Sequence, residues 1–301
     1  LLGIFVAGLL EAAALERDAR ALRVGARRTA LLWLLRPRVE VSEAVALDAP
    51  ARALDRALGR SVGGVHRSAE DLAAEGAPPI WPRAVSARRP LRLYIAGDSM
   101  AGQFGRPLAA LAEQTGLIRA RLDYHVSSGL SRPDYFDWPQ RLIDEIFDMS
   151  AEAVVVLVGG NDAQDVEWDG RVLKVGTEEW LEVYRLRVAE AMDIASAGGR
   201  RVYWVGQPVM RDRAYGERMA MLNRVYQEEA AGREGVTFVD AWRLFSGPDG
   251  GFAAYLRDER GQLVRVRQAD GVHLTRAGAE LLAAHVLDVV REEWSIDGAA
   301  R

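Results

Sequence analysis

The chain has 301 residues, of which 49% are hydrophobic and 27% charged, with a net charge of −4 and no cysteine. That balance describes a globular protein with room for one large domain and an appendage. The lack of cysteine excludes zinc–thiolate sites and disulfide frameworks, and the small acidic balance, without a basic stripe interleaved with aromatics, argues against a nucleic-acid partner.

The sequence opens at Leu1, and Leu1 to Leu15 is nearly all apolar except Glu11. Spanning a bilayer takes about 20 apolar residues, so this stretch is too short alone. It reads equally as the outer end of a membrane anchor that starts at or before Leu1 and as an amphipathic helix packed on the domain. From Glu11 to Arg38, Arg17, Arg20, Arg23, Arg27 and Arg28 precede the apolar patch Ala30 to Leu35. This predicts one or two helices, basic on one side, which suit an anionic membrane, a membrane-protein partner or a solvated face. A further helix is expected over Pro50 to Leu58, and Gly63-Gly64 and Pro78-Pro79 punctuate a linker from Ser61 to Arg89. The expected organisation is a helical amino-terminal segment and linker over residues 1–88, membrane-proximal, and a catalytic domain over residues 89–296.

From Pro90 the pattern alternates strand and helix, the signature of a parallel sheet with helices on both faces. Strands are predicted over Leu91–Ala96, Arg119–His125, Ala153–Val158, Arg201–Val205 and Val236–Val239. Helices are predicted over Met100–Thr115, Pro139–Met149, Glu178–Ala197, Tyr215–Ala231 and Arg276–Trp294. Asp169-Gly170 marks a small hairpin after the third strand, and Arg260-Gly261 marks another between Ala253 and Val266.

Gly97-Asp98-Ser99 follows the first strand directly. Ser99 therefore stands at a strand's carboxyl end and a helix's amino end, where free N–H groups and the helix dipole favour negative charge. Such a serine caps a helix or attacks an acyl carbon beside its own oxyanion donor. Three further stretches stand at strand ends. Gly159-Gly160-Asn161-Asp162 ends the third strand and presents the Asn161 amide. Asp270-Gly271-Val272-His273 precedes the last helix, and an acid three residues before a histidine can orient the imidazole as a general base. The second strand leads into Ser127-Ser128-Gly129-Leu130-Ser131-Arg132-Pro133-Asp134-Tyr135-Phe136-Asp137-Trp138. Of four histidines, His66 falls in the linker, His125 ends a strand and His285 lies inside the last helix.

The order Ser99, Gly129, Asn161, Asp270 and His273 resembles the SGNH (GDSL-type) hydrolase family, whose blocks carry Gly-Asp-Ser, a glycine, Gly-x-Asn-Asp and Asp-x-x-His. The stretch from Ser128 to Pro139 looks like that of bacterial SGNH-like proteins of the DUF459 type, which tend to carry an amino-terminal membrane segment. Met100 stands where the family often has leucine and keeps the position apolar. The resemblance implies a three-layer α/β/α, flavodoxin-like fold with a parallel sheet, a catalytic set of Ser99, His273 and Asp270, and an oxyanion hole of Ser99, Gly129 and Asn161. Ser127 and Ser128 leave the register of Gly129 open by a residue or two. Asp98, Arg132, Asp162 and Trp138 at the same rim are expected to contact substrate. No metal or organic cofactor is expected. The implied activity is that of an extracytoplasmic serine esterase or O-acyltransferase acting on acetyl groups of carbohydrate or cell-envelope glycans. A lipase or lysophospholipase and a catalytically silent glycan-binding scaffold are the alternatives.

Overall fold

The computed structural model describes residues 82–258 and 260–296. The amino-terminal helices, the anchor and His66 lie outside them. Two continuous apolar runs set the centre of the fold. Strand β1, Leu91–Gly97, is buried at every position but Arg92, and β3, Ala153–Leu157, is buried throughout. Runs of this kind belong to parallel strands covered on both faces. β2 (Ile118–Tyr124), β6 (Arg201–Val205) and β7 (Val236–Val239) complete a sheet of order β2-β1-β3-β6-β7 in which every pairing is parallel. This is the doubly wound order of an α/β/α sandwich, as the alternation implied. The order reverses beside β1, so a crevice is expected outside the carboxyl ends of β1 and β3.

The connecting helices are α1 (Ser99–Gln114), α2 (Trp138–Met149), α3 (Glu178–Ser196) and α4 (Arg213–Ala231). A short α5 (Ala241–Leu244), which the periodicity did not predict, precedes the last helix, α6 (Arg276–Glu293). Where predicted and observed helix starts differ, a capping side chain sets the boundary. Asp212 accepts the N–H of Tyr215 and starts α4 at Arg213, and Asp137 accepts the N–H of Gln140 and starts α2 at Trp138. Trp180, Trp204, Tyr94, Tyr184, Tyr203, Tyr226 and Phe104 are fully buried between sheet and helices.

Both predicted hairpins form. β4 (Val166–Trp168) pairs with β5 (Arg171–Leu173) across Asp169 and Gly170, both at positive φ, and β8 (Tyr255–Arg257) pairs with β9 (Leu263–Arg265). Residues 164–174, which hold the first hairpin, group apart from the sheet-bearing unit.

At the amino-terminal edge of the sheet the fully buried carboxylate of Glu152 is clamped by Arg83, whose Nε and Nη2 donate to its two oxygens at 2.7 and 2.8 Å, and by the N–H of Arg92 at 3.0 Å. This bidentate pair fastens the segment that enters β1. Among the described residues no helix is long and apolar enough to cross a membrane.

Candidate active site

Ser99 is the first residue of α1, and Asp98 is its cap, accepting the N–H of Met100 at 2.9 Å. Capping and presentation of Ser99 therefore fall to two adjacent residues. Ser99 Oγ lies 3.0 Å from His273 Nε2, and His273 Nδ1 lies 2.7 Å from Asp270 Oδ2. A carboxylate only accepts, so Nδ1 carries the proton and Nε2 is left to accept from the serine hydroxyl. Asp270 Oδ1 also takes the N–H groups of Val272 at 2.9 Å and His273 at 3.0 Å. Partial burial opposes the charge on Asp270, yet the Val272 N–H and the His273 imidazole outweigh it and hold the carboxyl down to about 2. The acid is thus ionised wherever a histidine base operates.

Two buried carboxylates tie this turn to the neighbouring loops. Asp98 Oδ2 accepts the N–H of Gly160 at 3.1 Å, linking the turn after β1 to the turn after β3. Asp162 accepts the N–H groups of Leu130 and Ser131 at 2.9 and 2.8 Å and the Tyr184 hydroxyl at 2.9 Å, linking the turn after β3 to the loop after β2. Asn161 Nδ2 donates to Ser128 O at 3.0 Å across the same gap. Gly129 packs on Asp162 so closely that a Cβ there would sit 2.0 Å from Oδ1. The glycine is required by that approach. Burial pushes Asp98 up to about 6, with Met100 and Gly160 N–H groups opposing and the Asp162 charge adding to the rise; burial raises Asp162 as well.

The structure thus brings together Ser99, His273 and Asp270 as a hydrogen-bonded chain, with the Asn161 and Gly129 loops fastened to the Ser99 turn. It does not place Asp98, Arg132, Asp162 and Trp138 as substrate contacts. Asp98 and Asp162 are 0% exposed, Trp138 2% and Arg132 4%. Their polar groups face inward: Arg132 forks onto Asp134 at 2.9 and 3.0 Å, and Trp138 Nε1 donates to Ser128 Oγ at 2.9 Å. These side chains were expected at the rim because the sequence order sets them there, but charge–amide and indole–hydroxyl pairing turns them into supports of the loops. His125 stacks on Phe136 with ring centroids 4.2 Å apart, and His285 is half-buried on α6.

Several supporting residues were not legible beforehand. Gln103 Oε1 accepts the N–H of Leu274 at 3.0 Å, joining α1 to the turn that carries His273. Its spacing of four from Ser99 on one helix was the available signal. Tyr215 on α4 donates to Gly160 O, Gln207 Nε2 donates to Val158 O at 2.9 Å, and the Tyr226 hydroxyl meets that of Tyr184 at 2.7 Å. No motif announces these, since each reaches the site from a distant element. A cavity of about 880 Å³ opens between α1 and α6, bounded by Gln103, Pro107, Leu111, Leu274 and Ala279. Neither Ser99 nor His273 lines it. Among the described residues no cluster of three or more His, Asp or Glu side chains has the arrangement of a metal site.

A family model described as "Protein of unknown function (DUF459)" matches residues 92–289. Comparison with curated protein sequences finds no match. Among solved structures the chain is similar to a candidate acylhydrolase from Bacteroides fragilis, at 13% identity and a TM-score of 0.48 over 77% of this chain and 97% of that one. It is similar to a GDSL-like lipase from Bacteroides thetaiotaomicron, at 15% identity and a TM-score of 0.46 over 74% and 95% of the two chains. It is also similar to the catalytic domain of Streptococcus pneumoniae peptidoglycan O-acetyltransferase A, at 14% identity and a TM-score of 0.44 over 68% and 95%.

Proposed function

The chain belongs to the DUF459 family, and we propose that it is a serine-dependent ester hydrolase or O-acyltransferase acting on small acyl groups, acetyl above all, carried by carbohydrate or cell-envelope glycans. The observation that carries the proposal is the unbroken chain from Ser99 Oγ through His273 to Asp270, with separations of 3.0 and 2.7 Å, at the head of α1.

In the proposed first step Ser99 Oγ attacks the ester carbonyl carbon while its proton passes to His273 Nε2. The carbonyl π-bond becomes the oxyanion, received by N–H groups at the start of α1 and by donors of the Gly129 and Asn161 loops. Collapse breaks the bond to the leaving alkoxide, which takes the proton from the imidazolium and departs as the alcohol. Water or a sugar hydroxyl then gives its proton to Nε2 and attacks the acyl carbon; as the bond to Ser99 Oγ breaks, that oxygen takes the proton back from the imidazolium and both residues return to their starting state. Asp270, ionised throughout, holds Nδ1–H and so keeps Nε2 facing the serine.

The open setting supports the choice of acyl group. The side chains of His273 and Asp270 are 33% and 44% exposed, so the reacting atoms sit at a rim. A rim suits a small acyl group on a bulky polar carrier, whereas a long chain calls for a closed apolar pocket. The purified protein is expected to hydrolyse 4-nitrophenyl acetate. Ser99→Ala and His273→Ala should each lower kcat/KM by at least about a thousandfold, while His285→Ala stays near wild type. An active Ser99→Ala variant would overturn the serine mechanism.

A further inference from the structure

Arg267 lies just beyond β9, and its side chain is fully buried. Guanidinium groups in that position nearly always meet a carboxylate. Here none forms an ion pair with it among the described residues. Its donors instead go to carbonyls: Nη1 to Val209 O at 2.7 Å, and Nη2 to Val272 O at 2.7 Å and Gly271 O at 3.3 Å, with Met210 Sδ at 3.2 Å. Nε has no partner. The rings of Phe252 and Phe245 flank the group at 5.3 and 5.8 Å. Burial lowers its pKa to about 10, with Asp270 acting against the fall and Arg211 adding to it, so it stays cationic at neutral pH.

Gly271 and Val272 are the two residues between the acid and the histidine. Asp270 gathers the N–H groups of this turn, and Arg267 gathers its carbonyls from the other side and ties them to Val209, in the loop after β6. We propose that Arg267 is a positioning residue for the general base: its guanidinium grips the peptide carbonyls between Asp270 and His273 and sets the imidazole against Ser99. A hydrophobic residue of similar volume would fill the same space without burying an unpaired cation. A charge retained there without a carboxylate is thus better explained by the turn it holds than by packing. This inference rests on the serine-hydrolase reading of the site.

The test compares full-length wild type, Arg267→Met, Arg267→Lys and Ser99→Ala with 4-nitrophenyl acetate from pH 5 to 9, alongside thermal melts. Arg267→Met is expected to lose about a hundredfold in kcat, the scale of a 1 Å misplacement, with KM within about twofold. Arg267→Lys, which can still donate to one of the carbonyls and loses the fork, should recover part of kcat at the same KM.

Wild-type kcat in Arg267→Met would overturn the proposal. So would losses in both variants that merely follow melting temperature, with no recovery of kcat in Arg267→Lys, or failure of both variants to fold. Activity in Ser99→Ala would instead remove the serine reading on which the inference stands. An inactive Ser99→Ala beside an unimpaired Arg267→Met would remove the inference alone.

Discussion

At Asp98 the carboxylate that starts α1 and holds the Gly160 N–H sits fully out of water, 62 positions in sequence from the second of those partners. Its pKa of about 6 against 3.8 for the free side chain means the folded protein binds that proton more tightly than the unfolded chain. A raised folded value gives stability that is full below pH 4 and lost as pH rises through 6, a swing of about 3 kcal/mol for a shift of about two units. Asp270 has the opposite sign: held down to about 2, it stabilises above pH 4 and that contribution fades as the pH falls towards 2. Urea titrations of wild type and Asp98→Asn at pH 4.5 and 7.5 isolate the first effect. The variant should lose less stability than wild type between the two pH values, even if it is weaker at both, because Asn has one acceptor for two N–H groups. Parallel curves would contradict the assignment. Ser99, Asn161, Asp270 and His273 were legible in sequence because short turns hold them at strand ends. The inward direction of Asp98, Asp162, Arg132 and Trp138 was not, because each is turned by a partner on another element or by its own loop's folding.

Among the elements, the five strands were readable because central parallel strands need unbroken apolar runs, which β1 and β3 supply. Helix ends were less readable, since single caps such as Asp137 and Asp212 set them. The four-residue α5 is too short to show a period. The clamp at Glu152 was invisible for a different reason: Arg83 lies within a stretch whose composition reads as linker, 69 positions from its partner. Arg83→Met would leave a buried carboxylate with only the Arg92 groups for company, and removing one partner of a buried pair costs about 3–5 kcal/mol. The upper part of that range is reduced here because Arg92 Nη2 remains at 3.5 Å. A fall of about 3 kcal/mol in denaturant-derived stability is expected, with ester hydrolysis unchanged at 20 °C where the variant is still folded. A fall below about 1 kcal/mol would show the pair to behave like an exposed one.

Across the whole sheet, the order β2-β1-β3-β6-β7 places the turns after β1 and β3 side by side at the point where the winding reverses. The serine and the asparagine, 62 residues apart in sequence, come to one rim for that reason. The last helix brings the histidine to the same rim, and Gln103 and Arg267 hold its turn from two sides. Topology supplies the meeting place and buried polar contacts supply its register. The central claim is that Ser99 is a nucleophile activated by His273. It is tested most directly by incubating the full-length protein with a fluorophosphonate probe and mapping the adduct by mass spectrometry. The account predicts a single phosphonylated residue, Ser99, with labelling lost in Ser99→Ala and slowed by at least about a hundredfold in His273→Ala. A wild-type protein that stays unlabelled, or an adduct on another serine that persists in Ser99→Ala, would contradict it.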